Sequence, residues 1–521
     1  MTTTTADVIG RARLGPIADA VAGAIHDLVE RDALHRMCVR DHTLWSDDPT
    51  EIADRLGWLS VVGEMAEQVG ELEAMAAEAA ADGLRHAVLL GMGGSSLFPE
   101  VLWRSFGSGP AHLDLTVLDT TDPAAIARVS AELDLDACLF VAASKSGTTI
   151  ETTSQLAHFW ELTGGDARRF MVVSDPGTEL ARLGQERGFR RVYENRPDIG
   201  GRYSALSHFG VVPGALLGYD VARLLERAAE AAEALGPAVP AADHPAVRLG
   251  AALGAAAKAG RDKLTLVLPD EIATFGLWLE QLVAESTGKQ GTGILPVAGE
   301  ALGPPEVYGD DRLFVSIGGA DRHTGLDALA EAGHPVVELA FEGPDDLGAL
   351  VFLWEMTVAL SGAVLGIIPF DQPDVASAKE ATGKVLDAGL PDIEHTPVAE
   401  LLEAVRPGDY LAIQAFVDPG DSALLEGIEQ ARLRLRDRLR VATTMGVGPR
   451  FLHSTGQLHK GGPPSGVFLQ VLGDPGPDVP IPGQPYGFGT LIQAQAAGDL
   501  QALRDRGLRA GRVTTEELLS S

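Results

Sequence analysis

The run Ala137–Thr152, ACLFVAASKSGTTIET, decides how the rest of the chain is read. Its first half is a short, uninterrupted apolar run, the pattern of a parallel strand buried on both faces. Its second half, Ser144-Lys145-Ser146-Gly147-Thr148-Thr149, crowds hydroxyls around one glycine and one lysine. From Ile150 to Trp160 the spacing becomes helical, with Glu151 near the start. A strand that ends in a small hydroxylated loop and then opens a helix offers backbone N–H groups and a positive dipole end to an anion. Serine and threonine hydroxyls add donors for phosphate oxygens. The plainer alternative is a Ser/Thr-rich connection that only caps the helix. The phosphate reading is the favoured one.

Outward from this run the same rhythm recurs. HAVLLGM (His86–Met92), LTVLD (Leu115–Asp119) and RRFMVVSD (Arg168–Asp175) are short apolar runs with helical stretches between them. That alternation predicts a doubly wound parallel sheet. A second series, LTLVLPD, TGILPV, RLFVSIGG and PVVELAF, lies between 264 and 341 and repeats the architecture without obvious identity. The fold expected is α/β, with two doubly wound parallel sheets, a helical N-terminal layer and a C-terminal extension. Boundaries are placed at 1–82, 83–225, 226–390 and 391–521. Val8–Leu34 reads as an amphipathic helix, and TLWSDDPTEIADRLGWL as a loop followed by another. The apolar stretch 350–368 contains Glu355, Thr357 and Ser361 and is read as a buried helix rather than a membrane span.

Composition narrows the partners. With 73 acidic against 41 basic residues the formal net charge is −32, which argues against nucleic acid and anionic membrane surfaces. An anionic substrate must then be held by a locally basic pocket, so each lysine, arginine and Gly-rich loop carries information. Two cysteines, Cys38 and Cys138, give no disulfide framework and fit a reducing, cytoplasmic setting. The N-terminus lacks an apolar signal core.

Several loops look like site material. Gly91-Met92-Gly93-Gly94-Ser95-Ser96 follows a strand but lacks the dinucleotide spacing, so close backbone approach to a smaller ligand fits better. Asp198–Ser204 puts two glycines before Arg202 and reads equally as a ligand loop or a tight turn. Gln281 and Glu285, four apart, share a helix face. Glu285 is a candidate buried base or a partner for Lys289, and spacing does not decide. The loop Phe451–Gly462 gathers His453, His459 and Lys460 with three glycines; no Cys or acid cluster accompanies it, so no metal is expected.

Five segments together resemble the phosphoglucose isomerase family of double sugar-isomerase (SIS) domain proteins. They are GMGGSSL (Gly91–Leu97), SKSGTTIET (Ser144–Thr152), DIGGRYSALS (Asp198–Ser207), QLVAESTGK (Gln281–Lys289) and FDQPDVASAK (Phe370–Lys379), in the family's order. FLHSTGQLHKGGP (Phe451–Pro463) is similar to the isomerase half of bacterial transaldolase–phosphoglucose isomerase fusions. The resemblance implies interconversion of glucose 6-phosphate and fructose 6-phosphate, with a homodimer as the default assembly and a hexose phosphate as the small-molecule partner. It assigns Ser144, Lys145, Ser146 and Thr149 to phosphate, Gly94 and Ser95 to the sugar loop, and Glu285 to the base, with Gln281 beside it. Arg202 becomes the stabiliser of the intermediate and Lys379 an aid to ring opening. The chemistry agrees: one carboxylate shuttles a proton between adjacent carbons through an enediolate, a guanidinium steadies the charge, and no cofactor or metal is required.

Two departures from the family pattern stand out. One is the place of the ring-opening histidine. With it goes the family arrangement in which that histidine often comes from the other subunit, so that a homodimer is a default expectation only. Family members carry the ring-opening histidine between the glutamate and the lysine, where this chain offers only His323 and His334 outside any matching motif. The segment most like that histidine motif, HSTGQ at His453–Gln457, comes after Lys379. His453 is therefore the expected ring-opening histidine, relocated in sequence, with His459 as reserve. Ala205, Pro373 and Asp374 also differ, Asp374 standing where glycine is usual, and these are expected to leave the mechanism untouched. Rival readings are an isomerase that also takes mannose 6-phosphate and a non-catalytic phosphosugar-binding regulator.

Overall fold

In the computed structural model, which describes residues 9–318 and 323–521, the chain forms three separate sheets. The strands in chain order are β1 (Ile9–Arg13), β2 (His86–Gly91), β3 (Asp114–Leu118), β4 (Cys138–Ser144), β5 (Phe170–Ser174) and β6 (Arg191–Glu194). They continue as β7 (Lys263–Val267), β8 (Leu295–Val297), β9 (Arg312–Ile317), β10 (Val336–Leu339), β11 (Tyr410–Phe416), β12 (Ala442–Val447), β13 (Gly466–Leu472) and β14 (Arg509–Val513).

The first sheet has the order β3-β2-β4-β5-β6 and is parallel throughout. Its centre is β4, every residue of which is buried. Phe140 stacks on Phe159 and on Phe170 of the next strand, with centroids 4.7 and 5.2 Å apart. The order reverses between β2 and β4, and a crevice opens there beyond the carboxyl ends of the strands. The Gly91–Ser96 and Ser144–Thr149 loops leave from those two strands.

The second sheet runs β1-β10-β9-β7-β8. Its four parallel strands repeat the reversal seen in the first, and β1 is added antiparallel to β10. This corrects the reading of Val8–Leu34 as one helix. Gly15 takes a left-handed φ of +50° and Pro16 follows it, so the helix begins only at Ala18. Arg13 of β1 donates to Glu338 Oε1 at 2.8 Å, tying the strand to the sheet edge. The expected boundary at 225/226 falls inside the helix Val221–Ala234, and the chain breaks its helical run after it. The helix Leu347–Leu365 is long and apolar enough to cross a membrane, yet 94% of its most apolar window is buried in the protein.

The C-terminal extension is a third parallel sheet, β12-β11-β13-β14. Its strands carry Thr443, Thr444, Gln414, Gln470, Arg509 and Arg512, which dilute the apolar signal that marks the first two sheets. It docks on the first unit through Arg128, whose guanidinium takes Asp418 in two bonds of 2.6 and 2.9 Å. A buried cluster of Glu300, Arg312 and Arg436 joins it to the second.

Candidate active site

The cleft of about 660 Å³ between the three sheets is lined by Gly94, Ser95, Ser144, Lys145, Ser146, Thr149, Gln281, Glu285, Lys379 and His453. Every expected site residue but one therefore faces the same space. Arg202 is the exception and stands behind the wall, 1% exposed.

The hydroxyl loop is built by its own hydrogen bonds. Ser144 Oγ and Thr149 Oγ1 lie 2.9 Å apart, and the Gly147 N–H donates to Ser144 Oγ at 3.1 Å. Gly147 has φ +69°, and a Cβ there would meet Thr178 at 2.8 Å, so the turn requires glycine. Thr149 is the N-cap of the helix Ile150–Leu162, whose first amides and dipole point at the loop. Lys145 pairs with Asp175 and donates to the Pro197 carbonyl at 2.9 Å. Burial raises the Asp175 carboxyl even so.

Arg55 and Asp54 of the N-terminal segment also line this end of the cleft. The stretch that reads as loop and helix has no α-helix until Val61. It is held instead by the Gly57 N–H donating to the Asp198 carbonyl at 2.8 Å and by a bridge between Leu56 and Ile199. A Cβ on Gly57 would meet the Asp198 carboxylate at 2.2 Å.

The sugar end is set by close backbone contact. A Cβ on Gly94 would lie 1.9 Å from the Gly201 carbonyl oxygen, so only glycine lets the two loops touch. Arg202 then turns inward. It donates to Ser286 Oγ at 2.8 Å, Gln372 Oε1 at 2.7 Å and the carbonyls of Pro369 and Asp371 at 2.9 Å. Its Nη1 stands 3.6 Å from Glu285 Oε2. A guanidinium so fully bonded is fixed in place, and its charge is felt strongly in a water-poor site.

Glu285 sits in the last turn of the helix Phe275–Thr287 and is 6% exposed. Gln281 Nε2 donates to its Oε2 at 3.1 Å and to the His453 carbonyl at 2.9 Å. Lys289 does not pair with Glu285. It turns to Asp371, donating to its Oδ1 and carbonyl at 2.6 Å each, and burial beside Arg202 lowers its ammonium to about 8.

His453 arrives from the third sheet, at the end of the short turn Arg450–His453 after β12. Arg450 anchors that turn by donating to Glu100 at 2.6 Å and Asp119 at 2.9 Å. His453 Nε2 lies 2.9 Å from Glu151 Oε1, and Gln495 Nε2 donates to the same oxygen at 2.8 Å. Burial pushes the Glu151 carboxyl up, but the His453 imidazole, a backbone N–H and the Lys379 charge together outweigh it and the net shift is downward. His459 is elsewhere, buried with Nδ1 3.0 Å from the Tyr410 hydroxyl. His323 bonds the Ile317 carbonyl and His334 packs on Phe314, both outside the cleft.

Sequence reasoning noted Glu151 only as an acid at a helix start and gave Arg55, Gln372 and Gln495 no role. The one local signal for Glu151 is that an acid stands in the first turn of the helix that opens on the phosphate loop.

Two α/β units of one topology that meet over a hydroxyl-rich anion loop and a fixed carboxylate–guanidinium pair define a phosphosugar-binding protein of the double sugar-isomerase class. The sequence matches the phosphoglucose isomerase family over residues 26–295, more than half its length, and the chain belongs to that family. It is 28% identical to glucose-6-phosphate isomerase of Rubrobacter xylanophilus, across 58% of this chain and 82% of that one. It is 30% identical to the Thermosynechococcus vestitus glucose-6-phosphate isomerase, across 64% and 70% respectively. A hypothetical protein from Thermus thermophilus superposes with a TM-score of 0.62 at 25% identity, covering 73% of this chain and all of that one. A glucose-6-phosphate isomerase from Chlamydia trachomatis gives 0.57 at 21% identity, covering 71% and 86%, a likeness of fold. The family match ends at residue 295, so Lys379, His453 and the third sheet lie beyond it.

Proposed function

We propose that the protein is an aldose–ketose isomerase interconverting glucose 6-phosphate and fructose 6-phosphate. The observation that carries this is the facing of Glu285, backed by Arg202, and His453, backed by Glu151, across one cleft that ends in the phosphate loop.

The phosphoryl group is held by the 144–149 hydroxyls and the opening amides of the next helix, with Lys145 and Arg55 supplying charge. Ring opening moves a proton between the anomeric hydroxyl and the ring oxygen. The Glu151 carboxylate holds a proton on His453 Nε2, which leaves Nδ1 as the nitrogen that exchanges protons with the sugar. Lys379 lines the same recess as Glu151 and His453 and assists there. Glu285 then takes the proton from C2, an enediolate forms, and the same carboxyl returns the proton to C1 while the hydroxyl proton passes from O2 to O1. Arg202, fixed behind the wall beside Glu285, steadies the developing negative charge through its field rather than by contact and needs no rearrangement to do so. A homodimer is the assembly expected from the family resemblance, and sedimentation of the purified protein measures it. The unpaired Cys38 and Cys138 support a cytoplasmic setting.

Incubating purified protein in D₂O with glucose, fructose or mannose 6-phosphate tests the reading by NMR. Conversion between the glucose and fructose esters with solvent deuterium at C1 or C2 is expected. Binding of phosphosugar without conversion would favour the regulator instead, and conversion of the mannose ester would widen the specificity.

A further inference from the structure

Asp374 stands at the N-cap of the helix Val375–Ala388, which carries Lys379. Aspartate at that position ordinarily accepts from the first amides of its own helix. Asp374 makes no such bond. Both its oxygens are used across the interface with the third unit instead: Oδ2 accepts from Gln457 Nε2 at 2.8 Å and Oδ1 from Arg506 Nη2 at 2.9 Å.

Gln457, fully buried, is the other half of the contact. Its Oε1 accepts from the Asp374 backbone N–H at 2.9 Å, and its Nε2 also donates to the Gly288 carbonyl at 2.9 Å. Gly288 ends the helix that bears Glu285, and Gln457 lies four residues after His453. One amide thus touches the helix of the base and the helix of the lysine, and it belongs to the segment of the histidine. Glycines clear the space around it. A Cβ on Gly461 would meet Asp374 Oδ2 at 2.2 Å, and one on Gly288 would meet the Leu458 backbone at 2.3 Å.

We propose that the Asp374–Gln457 pair is a positioning clasp that sets Lys379 and His453 in register with Glu285. Asp374 therefore bears on the mechanism, contrary to the expectation from sequence. The clasp touches no substrate. It replaces a helix cap with a tie to the third sheet, which is what a chain needs when its histidine comes from a separate unit rather than from a loop beside the base. Misplacing a reacting group by about 1 Å can cost a hundredfold in rate, so a lost tie is kinetically visible even where the fold survives.

The inference rests on the isomerase reading, and one experiment separates the two. Asp374→Gly, Asp374→Asn and Gln457→Glu are assayed beside the parent with glucose 6-phosphate, unlabelled and deuterated at C2. A clasp that serves ring opening predicts kcat down about tenfold or more in Asp374→Gly with KM changed far less. The C2 isotope effect should shrink toward unity as ring opening becomes limiting. Asp374→Asn, which keeps an oxygen for Gln457, should recover part of kcat. Gln457→Glu, which sets two carboxylates together, should behave like Asp374→Gly and serves if that variant does not fold. An active parent with folded variants that keep its kcat and isotope effect would overturn the clasp and leave the function intact. So would a loss of activity that only tracks loss of folded protein. A parent that converts neither hexose phosphate would overturn both.

Discussion

His453 and Glu151, 302 residues apart in sequence and carried by segments that follow strands of different sheets, stand 2.9 Å from each other in a recess they share with Lys379. The imidazole helps hold the Glu151 carboxyl below its ordinary value, so the contact ties the charge of a residue after β4 to a side chain that follows β12.

Replacing Glu151 with Gln should lower kcat by about two orders of magnitude, the range of a lost acid–base partner. The pH dependence has a defined sign. A carboxyl held below its ordinary value adds stability above that value and loses it as pH falls through the depressed one. Thermal melts should show Glu151→Gln less stable than the parent at about pH 7, with the gap closing as pH drops below 4.5. A gap that widens in acid would contradict the pairing.

His459 gives a second pH signature. Burial, with Lys460 beside it, lowers its imidazole to about 3 from an ordinary 6.5. Between those values the unfolded chain binds a proton that the folded chain does not, so stability rises with pH across the window and is lost toward acid. Between about pH 7.5 and about pH 5, urea midpoints should fall more for the parent than for His459→Gln. At the higher pH His459→Gln should keep kcat within about threefold, whereas His453→Ala should lose about a hundredfold. Equal losses would return His459 to candidacy.

Much of this was legible beforehand, and the limits are physical. β4 and the hydroxyl loop announce themselves because a strand buried on both faces is uniformly apolar and a phosphate loop is compositionally narrow. Glu285 and Gln281 share a face by helical arithmetic alone. Arg55 was hidden because nothing local marks it: its segment lacks periodicity and is placed by backbone bonds to Asp198. The third sheet was hidden because polar residues interrupt β12 and β14: Thr443 and Thr444 in the one, Arg509 and Arg512 in the other. Its contacts with the cleft, from Arg450 to Gln457, are long-range pairings that no window of sequence contains.

Arg55 bonds Glu51 and Asp54 at 2.8 and 2.9 Å and borders the phosphate loop in a strongly acidic protein. Arg55→Ala should raise KM for hexose phosphates about tenfold and leave kcat within about twofold, since it would bind ground and transition states alike. Added salt should narrow the difference. Unchanged KM would remove it from the site.

The proposed isomerisation turns on Glu285 as the group that carries the proton between C2 and C1. Glu285→Gln keeps the shape and the Gln281 contact but removes basicity. Isomerisation of fructose 6-phosphate and solvent deuterium uptake should both fall about a thousandfold, with phosphosugar affinity retained within a few-fold. A variant that still isomerises and exchanges deuterium within about tenfold of the parent would place the proton elsewhere and contradict the account.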